Sequence, residues 1–145
     1  MSVMGLFGNR KVHFSVAMTG KLEGRETSQP IRFDKAFSRE PEEAFAVEEK
    51  ASEFVCPRPG SYFFTFSIRA DQGKSASVQL VKNQTPQVMN FVDINENNTG
   101  VSTQTVILNL QTGDKVWLRL DGGIDYGLRS HPLSPMITFT GINLS

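Results

Sequence analysis

The sequence predicts an all-β protein, an antiparallel sandwich of roughly eight to ten short strands. Apolar residues recur at every second position through most of the chain, and turn residues separate these segments roughly every 8–12 residues. Only one short stretch has a pattern compatible with a helix. The Cys…Trp…Cys spacing of immunoglobulin domains is missing, because Cys56 is the only cysteine. We therefore expect a jelly roll rather than an immunoglobulin-like fold.

The clearest alternation lies in residues 60–69 and predicts the central core strand. Thr65, Ser67 and Arg69 make one face of this segment polar, whereas the other face is aromatic and branched. The apolar face consists of Tyr62, Phe64, Phe66 and Ile68. Each of these side chains contributes on the order of 1.5–3 kcal/mol when it is buried.

Five further segments alternate in the same way, and each is predicted to be a strand with one buried face. The inward sets are Val12, Phe14, Val16 and Met18; Ala76, Val78 and Leu80; Val106, Leu108 and Leu110; Val116, Leu118 and Leu120; and Ile137 and Phe139. In a further predicted strand, Met89, Phe91 and Asp93 share one face and Val88, Asn90 and Val92 the other. Polar stretches at residues 71–74, 82–86, 95–100 and 111–114 are predicted to be turns.

The chain around these strands is less regular. Ile31 and Phe33 predict a short strand, and Phe37 is expected to be a further core anchor. Residues 20–30 and residues 121–135 are predicted to be loops, because polar and turn-forming residues dominate them.

A charged segment, residues 38–53, fits two local structures. A short helix beginning at Pro41 and a half-buried strand through Phe45 and Val47 both agree with the pattern. The strand is preferred.

Composition excludes several classes of function. The chain has 145 residues with 15 basic and 15 acidic side chains, so it has no positive field for nucleic acid. No apolar run approaches the roughly 18 residues of a membrane span. His13 and His131 lack metal-ligating neighbours, and no nucleophile elbow or phosphate-binding glycine loop occurs. We expect one non-enzymatic domain, residues 12–145, after a flexible segment, residues 1–11, in which no signal peptide is visible.

The order of several motifs resembles the globular head of complement C1q. The motifs are Phe33, Phe54, G-S-Y-F-F-T-F at 60–66, V-Q-L-V-K-N at 78–83, L-Q-T-G-D-K-V-W-L-R-L at 110–120 and I-T-F-T-G-I-N-L at 137–144. Phe54 and the G-x-Y-x-F-x-F spacing match the second half of the family signature. Two positions depart from it: Arg39 stands near an Asn or Asp position, and Phe45 lies farther from Phe54 than expected.

What this resemblance implies is a ten-stranded jelly roll of the tumour-necrosis-factor-like class, assembled as a homotrimer and used for extracellular binding. It also implies calcium held by loop oxygens near the apex of the trimer. The corresponding residues here are Asp93, Asn95, Glu96 and Asn97. No collagen repeat occurs in the chain.

Two aromatic residues are predicted to lie outside the core. Phe63 and Trp117 each stand on the strand face opposite a buried set, so both would meet water on a monomer. Because exposed aromatic residues mark contact surfaces, we expect Phe63 or Trp117 at or near the trimer interface.

Two classes of function fit such a molecule. The first is a secreted recognition module of innate immunity, a lectin-like or pattern-recognition head that binds glycans, microbial surfaces or proteins through loops. Asp121, Asp125, Tyr126, Arg129 and His131 are its candidate ligand-binding residues, because they combine a stacking ring with hydrogen-bonding groups. The second is a structural trimerisation or receptor-ligand head of an extracellular matrix or signalling protein, which clusters partners by multivalency.

Overall fold

The computed structural model describes residues 11–47, 52–93 and 100–144. The predicted amino-terminal segment therefore lies outside the described residues, apart from Lys11. The strands are β1 (His13–Met18), β2 (Lys21–Glu23), β3 (Gln29–Pro30), β4 (Lys35–Glu40), β5 (Phe54–Val55), β6 (Gly60–Ile68), β7 (Ala76–Lys82), β8 (Thr85–Val92), β9 (Ser102–Leu110), β10 (Lys115–Leu120), β11 (Gly127–Arg129) and β12 (Ile137–Asn143). A 3-10 turn, Glu42–Ala44, lies between β4 and β5. Within the described residues, no helix has the length and apolarity needed to span a membrane.

The strands form two antiparallel sheets that face each other. The first, which we call the β6 sheet, has the order β4-β1-β12-β6-β9. The second, the β10 sheet, has the order β3-β10-β7-β8, and β5 also pairs with β10. Strands β2 and β11 form a separate two-stranded sheet. The predicted antiparallel sandwich is therefore confirmed.

Aromatic rings fill the space between the two sheets. Phe14 of β1 is central, with its ring centroid 4.7 Å from that of Phe45 and 4.8 Å from that of Phe139. Its centroid also lies 5.1 Å from that of Phe54, which belongs to the β10 sheet. The rings therefore join the two layers, and such pairs contribute about 0.5–1.5 kcal/mol each beyond their area burial.

One glycine makes room for these rings. Gly141 of β12 lies opposite Phe14 on one neighbouring strand and Phe64 on the other. A Cβ atom on Gly141 would lie only 2.4 Å from Phe14 Cε2 and 2.9 Å from Phe64 Cδ1. The ring of Phe14 thus occupies the volume that a side chain at position 141 would need.

The predicted core strand is β6. Its inward residues are at most 1% exposed, and the predicted inward sets of β1, β7, β10 and β12 are buried as well. Strand β9 is shallower, because Val106 and Leu108 are only half-buried against the core. The alternation therefore predicted the direction of the side chains correctly in all these strands.

Two predictions before the core strand are wrong in part. Ile31 and Phe33 are fully buried, but β3 ends at Pro30 and neither residue belongs to a strand. Phe37 is not a core anchor, because it is 56% exposed. The pairing of β1 with β4 shifts register beside Phe37, and such a bulge turns a side chain away from its expected face.

The preferred strand through Phe45 and Val47 is confirmed only at Phe45, which is extended and forms an isolated antiparallel bridge with Phe54. Before Phe45, the helical alternative after Pro41 is closer to the structure. The Ala44 amide donates to the Pro41 carbonyl at 3.1 Å, which forms the 3-10 turn. Arg39 Nη1 donates to the Phe45 carbonyl at 3.0 Å, and Arg39 Nη2 pairs with Glu42. These contacts hold the turn against β4, so that the Phe45 ring enters the core.

The two segments predicted to be loops contain short strands. Residues 20–30 include β2 and β3, and residues 121–135 include β11. Leu22 lies opposite Leu128 where β2 pairs with β11. Strands of two or three residues show too little alternation to be recognised from sequence.

A buried amide closes the sandwich between β8 and β9. Asn90 is 4% exposed, and its Nδ2 donates to the Ser102 carbonyl at 3.1 Å. Its Oδ1 accepts from the Ser102 hydroxyl at 2.7 Å. These bonds tie the edge of the β10 sheet to the edge of the β6 sheet and leave Met89 and Phe91 pointing outward.

We predict that Gly141→Ala destabilises the domain by about 1–3 kcal/mol, because the added methyl group overpacks the aromatic cluster. Gly20→Ala is the matched control, since a Cβ atom there meets nothing within 4 Å. Urea unfolding at one fixed protein concentration measures both variants. Equal midpoints for the two variants would contradict the role assigned to Gly141.

Candidate functional site

The outer face of the β6 sheet is broad, and it is uncharged on four of the five strands, β1, β12, β6 and β9. The outward side chains are His13 and Ser15 of β1; Thr138, Thr140 and Ile142 of β12; Ser61, Phe63, Thr65 and Ser67 of β6; and Thr103, Thr105, Ile107 and Asn109 of β9. Ala17 of β1 points to the same side but is fully buried. Apart from His13, none of these side chains is ionisable in the physiological range. Surfaces that face water normally carry many charged residues, so this face has the composition of a contact surface.

Hydroxyl groups on this face bond to one another across the strands. Ser15 Oγ lies 2.9 Å from Thr140 Oγ1, and the Thr138 hydroxyl donates to Ser67 Oγ at 3.3 Å. The Ser61 hydroxyl donates to Asn109 Oδ1 at 2.7 Å. Because these polar groups already have protein partners, covering the face costs less free energy than burying free hydroxyl groups would.

An apolar row crosses the same face. Ile142, Phe63 and Ile107 are direct neighbours on β12, β6 and β9. Ile142 is 44% exposed and Ile107 is 58% exposed, whereas Phe63 is half-buried between them. The row gives the face a hydrophobic centre flanked by small hydroxyl side chains.

A second apolar surface lies at the β8–β9 edge. Met89 and Phe91 of β8 are 48% and 49% exposed, and Val101, which directly precedes β9, is 46% exposed. We call these three residues the edge patch. The sandwich therefore presents two different apolar surfaces, one on a sheet face and one on an edge.

The structure separates the two aromatic residues predicted for the interface. Phe63 lies on the outer face of the β6 sheet, whereas Trp117 belongs to β10 and lies opposite Val81 in the other sheet. Trp117 Nε1 donates to the Asn83 carbonyl at 2.9 Å, so its ring is tied to the β7–β8 turn. The two residues do not share a surface.

Two of the predicted ligand-binding residues are used to hold the loops. Asp121 Oδ2 accepts from the Ser77 hydroxyl at 2.7 Å and from Gln79 Nε2 at 3.2 Å. Arg129 Nε donates to Asp71 Oδ1 at 2.6 Å. Bonding from the Arg129 guanidinium is the main cause that lowers the pKa of Asp71 below its ordinary value.

Of the other three predicted residues, one holds its own turn and two make no side-chain hydrogen bond to a described residue. His131 Nδ1 accepts from the backbone amides of Leu133 and Ser134, at 3.1 and 3.0 Å, and so organises its own turn. The carboxylate of Asp125 and the hydroxyl of Tyr126 bond to no described residue. These two adjacent groups are therefore the members of the predicted set that remain available to a ligand.

The loops that carry these residues interlock through their backbones. The Gly24 amide donates to the Tyr126 carbonyl at 2.9 Å, and the Gly123 amide donates to the Arg25 carbonyl at 2.7 Å. A Cβ atom on Gly24 would lie 2.2 Å from the Gly123 carbonyl oxygen, so only glycine permits this approach. These contacts make a rigid surface at the end of the sandwich formed by residues 24–25 and 123–126, which we call the loop end.

The predicted calcium ligands fall almost entirely outside the described residues. Asp93 is described, but Asn95, Glu96 and Asn97 lie in the undescribed stretch 94–99. In residues 11–47, 52–93 and 100–144, no three His, Cys, Asp or Glu side chains lie together in a way that would hold a metal ion. The calcium site therefore stays a prediction.

A family model of the C1q domain matches residues 13–144. The chain belongs to the C1q domain family. The predicted resemblance is confirmed, including the carboxyl-terminal motif on β12. The departure at Arg39 is accommodated in this C1q domain by the bonds that Arg39 makes to the 3-10 turn.

Two human proteins are similar to this C1q domain over most of its length. Human complement C1q tumor necrosis factor-related protein 2 is 37% identical over 134 residues, which cover 92% of this chain and 45% of that protein. Human complement C1q and tumor necrosis factor-related protein 9A is 28% identical over 134 residues, which cover 92% of this chain and 39% of that protein. The chain thus spans less than half the length of these two relatives.

Solved structures show the same fold. The globular domain of zebrafish complement 1qA protein has a TM-score of 0.72 at 23% identity and covers 93% of this chain and 98% of its own. Murine APRIL has a TM-score of 0.70 at 8% identity and covers 93% of this chain and all of its own. The predicted tumour-necrosis-factor-like jelly roll is therefore confirmed.

Sequence reasoning missed Ile107 and Ile142 as surface residues. Each lies one position away from inward neighbours, so strict alternation would have placed both on the outer face. The alternation of β9 and β12 was therefore sufficient to find both residues.

We predict that Asp71→Asn lowers the melting temperature at pH 7 by roughly 1–4 °C, as expected for a partly exposed ion pair in a domain of this size. Because the folded-state pKa of Asp71 is lowered, the pair stabilises the fold above the unfolded-state pKa, near 4. Its contribution is lost as the pH falls through the folded-state pKa. Thermal unfolding between pH 7 and pH 3 should show the two proteins converging below about pH 4. A constant difference at every pH would contradict the account.

Proposed function

We propose that this C1q domain is a secreted, non-enzymatic recognition head that works as a homotrimer. The uncharged outer face of the β6 sheet carries this proposal. Domains of the C1q and tumour-necrosis-factor families form trimers, and this face has a composition suited to such a contact.

A ring of three chains needs two different surfaces on each chain. In cyclic assemblies other than dimers the contact is heterologous, so one patch of each subunit meets a different patch of the next. The outer face of the β6 sheet, with Phe63 and Ile107, is one such surface. The edge patch of Met89, Phe91 and Val101 is the other, because its apolar side chains match the apolar row in character.

The face of Phe63 is proposed as the interface in preference to that of Trp117. Phe63 stands in an apolar row without charged neighbours on its own or adjoining strands. Beside Trp117 on the outer face of the β10 sheet lies Arg119, which forms an ion pair with Asp121 at 3.5 Å. Covering that face would remove these charges from water, which costs free energy.

Recognition is proposed to occur at the loop end, which the interlocked loops make rigid. Rigid loops on a sandwich lose little conformational entropy when they bind a ligand. Three copies on one trimer would raise the avidity for glycans, microbial surfaces or clustered proteins without any new contact. A structural trimerisation head remains the second candidate, because the apolar row supports assembly whether or not the loops bind a ligand.

We predict that Ile107→Asp raises the protein concentration at which half of the chains are trimeric by at least about tenfold, because it places a charge in the apolar row. Leu133→Asp is the matched control, since Leu133 is 83% exposed in the loop between β11 and β12 and is not part of a strand. Sedimentation equilibrium across a dilution series measures both variants. If both variants assemble like the native chain, or if the native chain is a monomer at micromolar concentration, the proposed trimer contact is wrong.

A glycan array tests the recognition role. We expect selective binding by the native trimer that is lost in the double variant Asp125→Asn with Tyr126→Phe, which removes only the free carboxylate charge and the free hydroxyl. Glu43→Gln, an exposed change in the 3-10 turn, should bind like the native protein. A blank array for the native trimer would favour the structural trimerisation head.

A further inference from the structure

A groove with a volume of about 670 Å³ opens on the side of the sandwich away from the edge patch. One wall is the end of β1 with β2, and the other is β3 with the residues that follow it to Asp34. Strands β3 and β4 are the outermost strands of their sheets on this side. Volumes of this size are typical of sites for small ligands and short peptide segments.

Arg25 is held in a fixed position at this groove by a neutral side chain, so its positive charge is not paired with a carboxylate. Its Nε and Nη2 both donate to Gln29 Oε1, at 3.0 and 2.6 Å. Gln29 is only 5% exposed, and its Nε2 donates to the Glu23 carbonyl at 2.7 Å. A buried neutral amide therefore orients the guanidinium group, and its remaining donors are free to bind an anion.

The backbone of Arg25 is fixed as well. Its carbonyl accepts from the Gly123 amide at 2.7 Å, within the interlocked loops. A ligand that pairs with Arg25 therefore does not have to order a mobile segment, so the entropic cost of binding is small.

The other charges lining the groove leave a positive excess. Arg32 makes no hydrogen bond or ion pair with any described residue. Lys21 pairs with Glu23 at 3.2 Å. Asp34, the one acidic residue among the described residues of the lining, accepts hydrogen bonds from the amide and the hydroxyl of Thr19. Two arginine side chains thus face the groove without a neutralising partner among the described residues.

The rest of the lining is apolar. Met18 and Phe33 form a buried floor, and Leu22 and Pro30 are more accessible on the walls. None of the described lining residues is an exposed aromatic residue, so these residues offer no platform on which a sugar ring would stack. The combination of aliphatic walls with two arginines that have no carboxylate partner among the described residues favours a carboxylate ligand that also carries aliphatic side chains.

We propose that this groove binds an acidic peptide segment of a partner protein, with its carboxylates on Arg25 and Arg32 and an aliphatic side chain against Leu22 and Pro30. The site lies within one chain. It therefore does not rest on the trimer contact, and a monomeric protein would leave it intact.

Nuclear magnetic resonance titration of the folded protein tests the proposal, with the Nε–H signals of the arginines as probes. The ligand is the peptide acetyl-Leu-Glu-Glu-Leu-amide, and the same peptide with Gln in place of Glu is the neutral control. We expect the acidic peptide to shift the Arg25 and Arg32 signals with a dissociation constant on the order of 1 mM, weakening as salt is added.

Three variants separate the groove from general surface charge. Arg25→Gln should weaken binding by at least about tenfold, and Arg32→Gln should weaken it as well. Because Arg25 also holds Gln29, Arg32→Gln serves as the variant that leaves the described contacts unchanged. Lys82→Gln removes the same charge from β7 in the β10 sheet and should bind like the native protein.

Three results would overturn the proposal. The first is an equal response to the acidic and neutral peptides, and the second is equal binding by Arg32→Gln and Lys82→Gln. The third comes from a parallel titration with a heparin-derived tetrasaccharide. Saturation by this sulfated sugar, without saturation by the peptide, would assign the groove to acidic glycans instead.

Discussion

The close packing of Phe14 against Gly141 is the constraint on which the structure depends. The Phe14 ring touches rings from both sheets, and it fits only because β12 has no side chain at that point. The two layers are therefore held by aromatic contacts in the interior and, at the β8–β9 side, by the buried amide of Asn90. Because interior contacts hold the two sheets together, the amino-acid composition of the two outer faces can differ.

The outer faces of the two sheets do differ in composition. The outer face of the β6 sheet carries hydroxyl and aliphatic side chains, whereas the outer face of the β10 sheet carries Arg119 with its partner Asp121. The loops at one end are locked together by glycine contacts and by the Asp71–Arg129 pair. One domain thus separates a surface suited to self-association from a rigid end and a cationic groove suited to other partners.

The sequence was sufficient for the fold and insufficient for much of the candidate site. Period-two alternation placed Tyr62, Phe64 and Phe66 correctly, because burial on one face of a strand leaves a direct signature. Phe37 was misplaced because a bulge breaks that periodicity. The groove at Arg25 was invisible in the sequence, since it depends on a buried Gln29 and on a loop contact nearly one hundred residues away.

The most direct test of the central claim is hydroxyl-radical footprinting of the native chain across a dilution series. If the outer face of the β6 sheet covers the edge patch of the next chain, Ile107 and Met89 should be protected at high concentration and become reactive together on dilution. Leu133 should react equally at every concentration. Equal reactivity of Ile107 and Met89 at all concentrations would contradict the account.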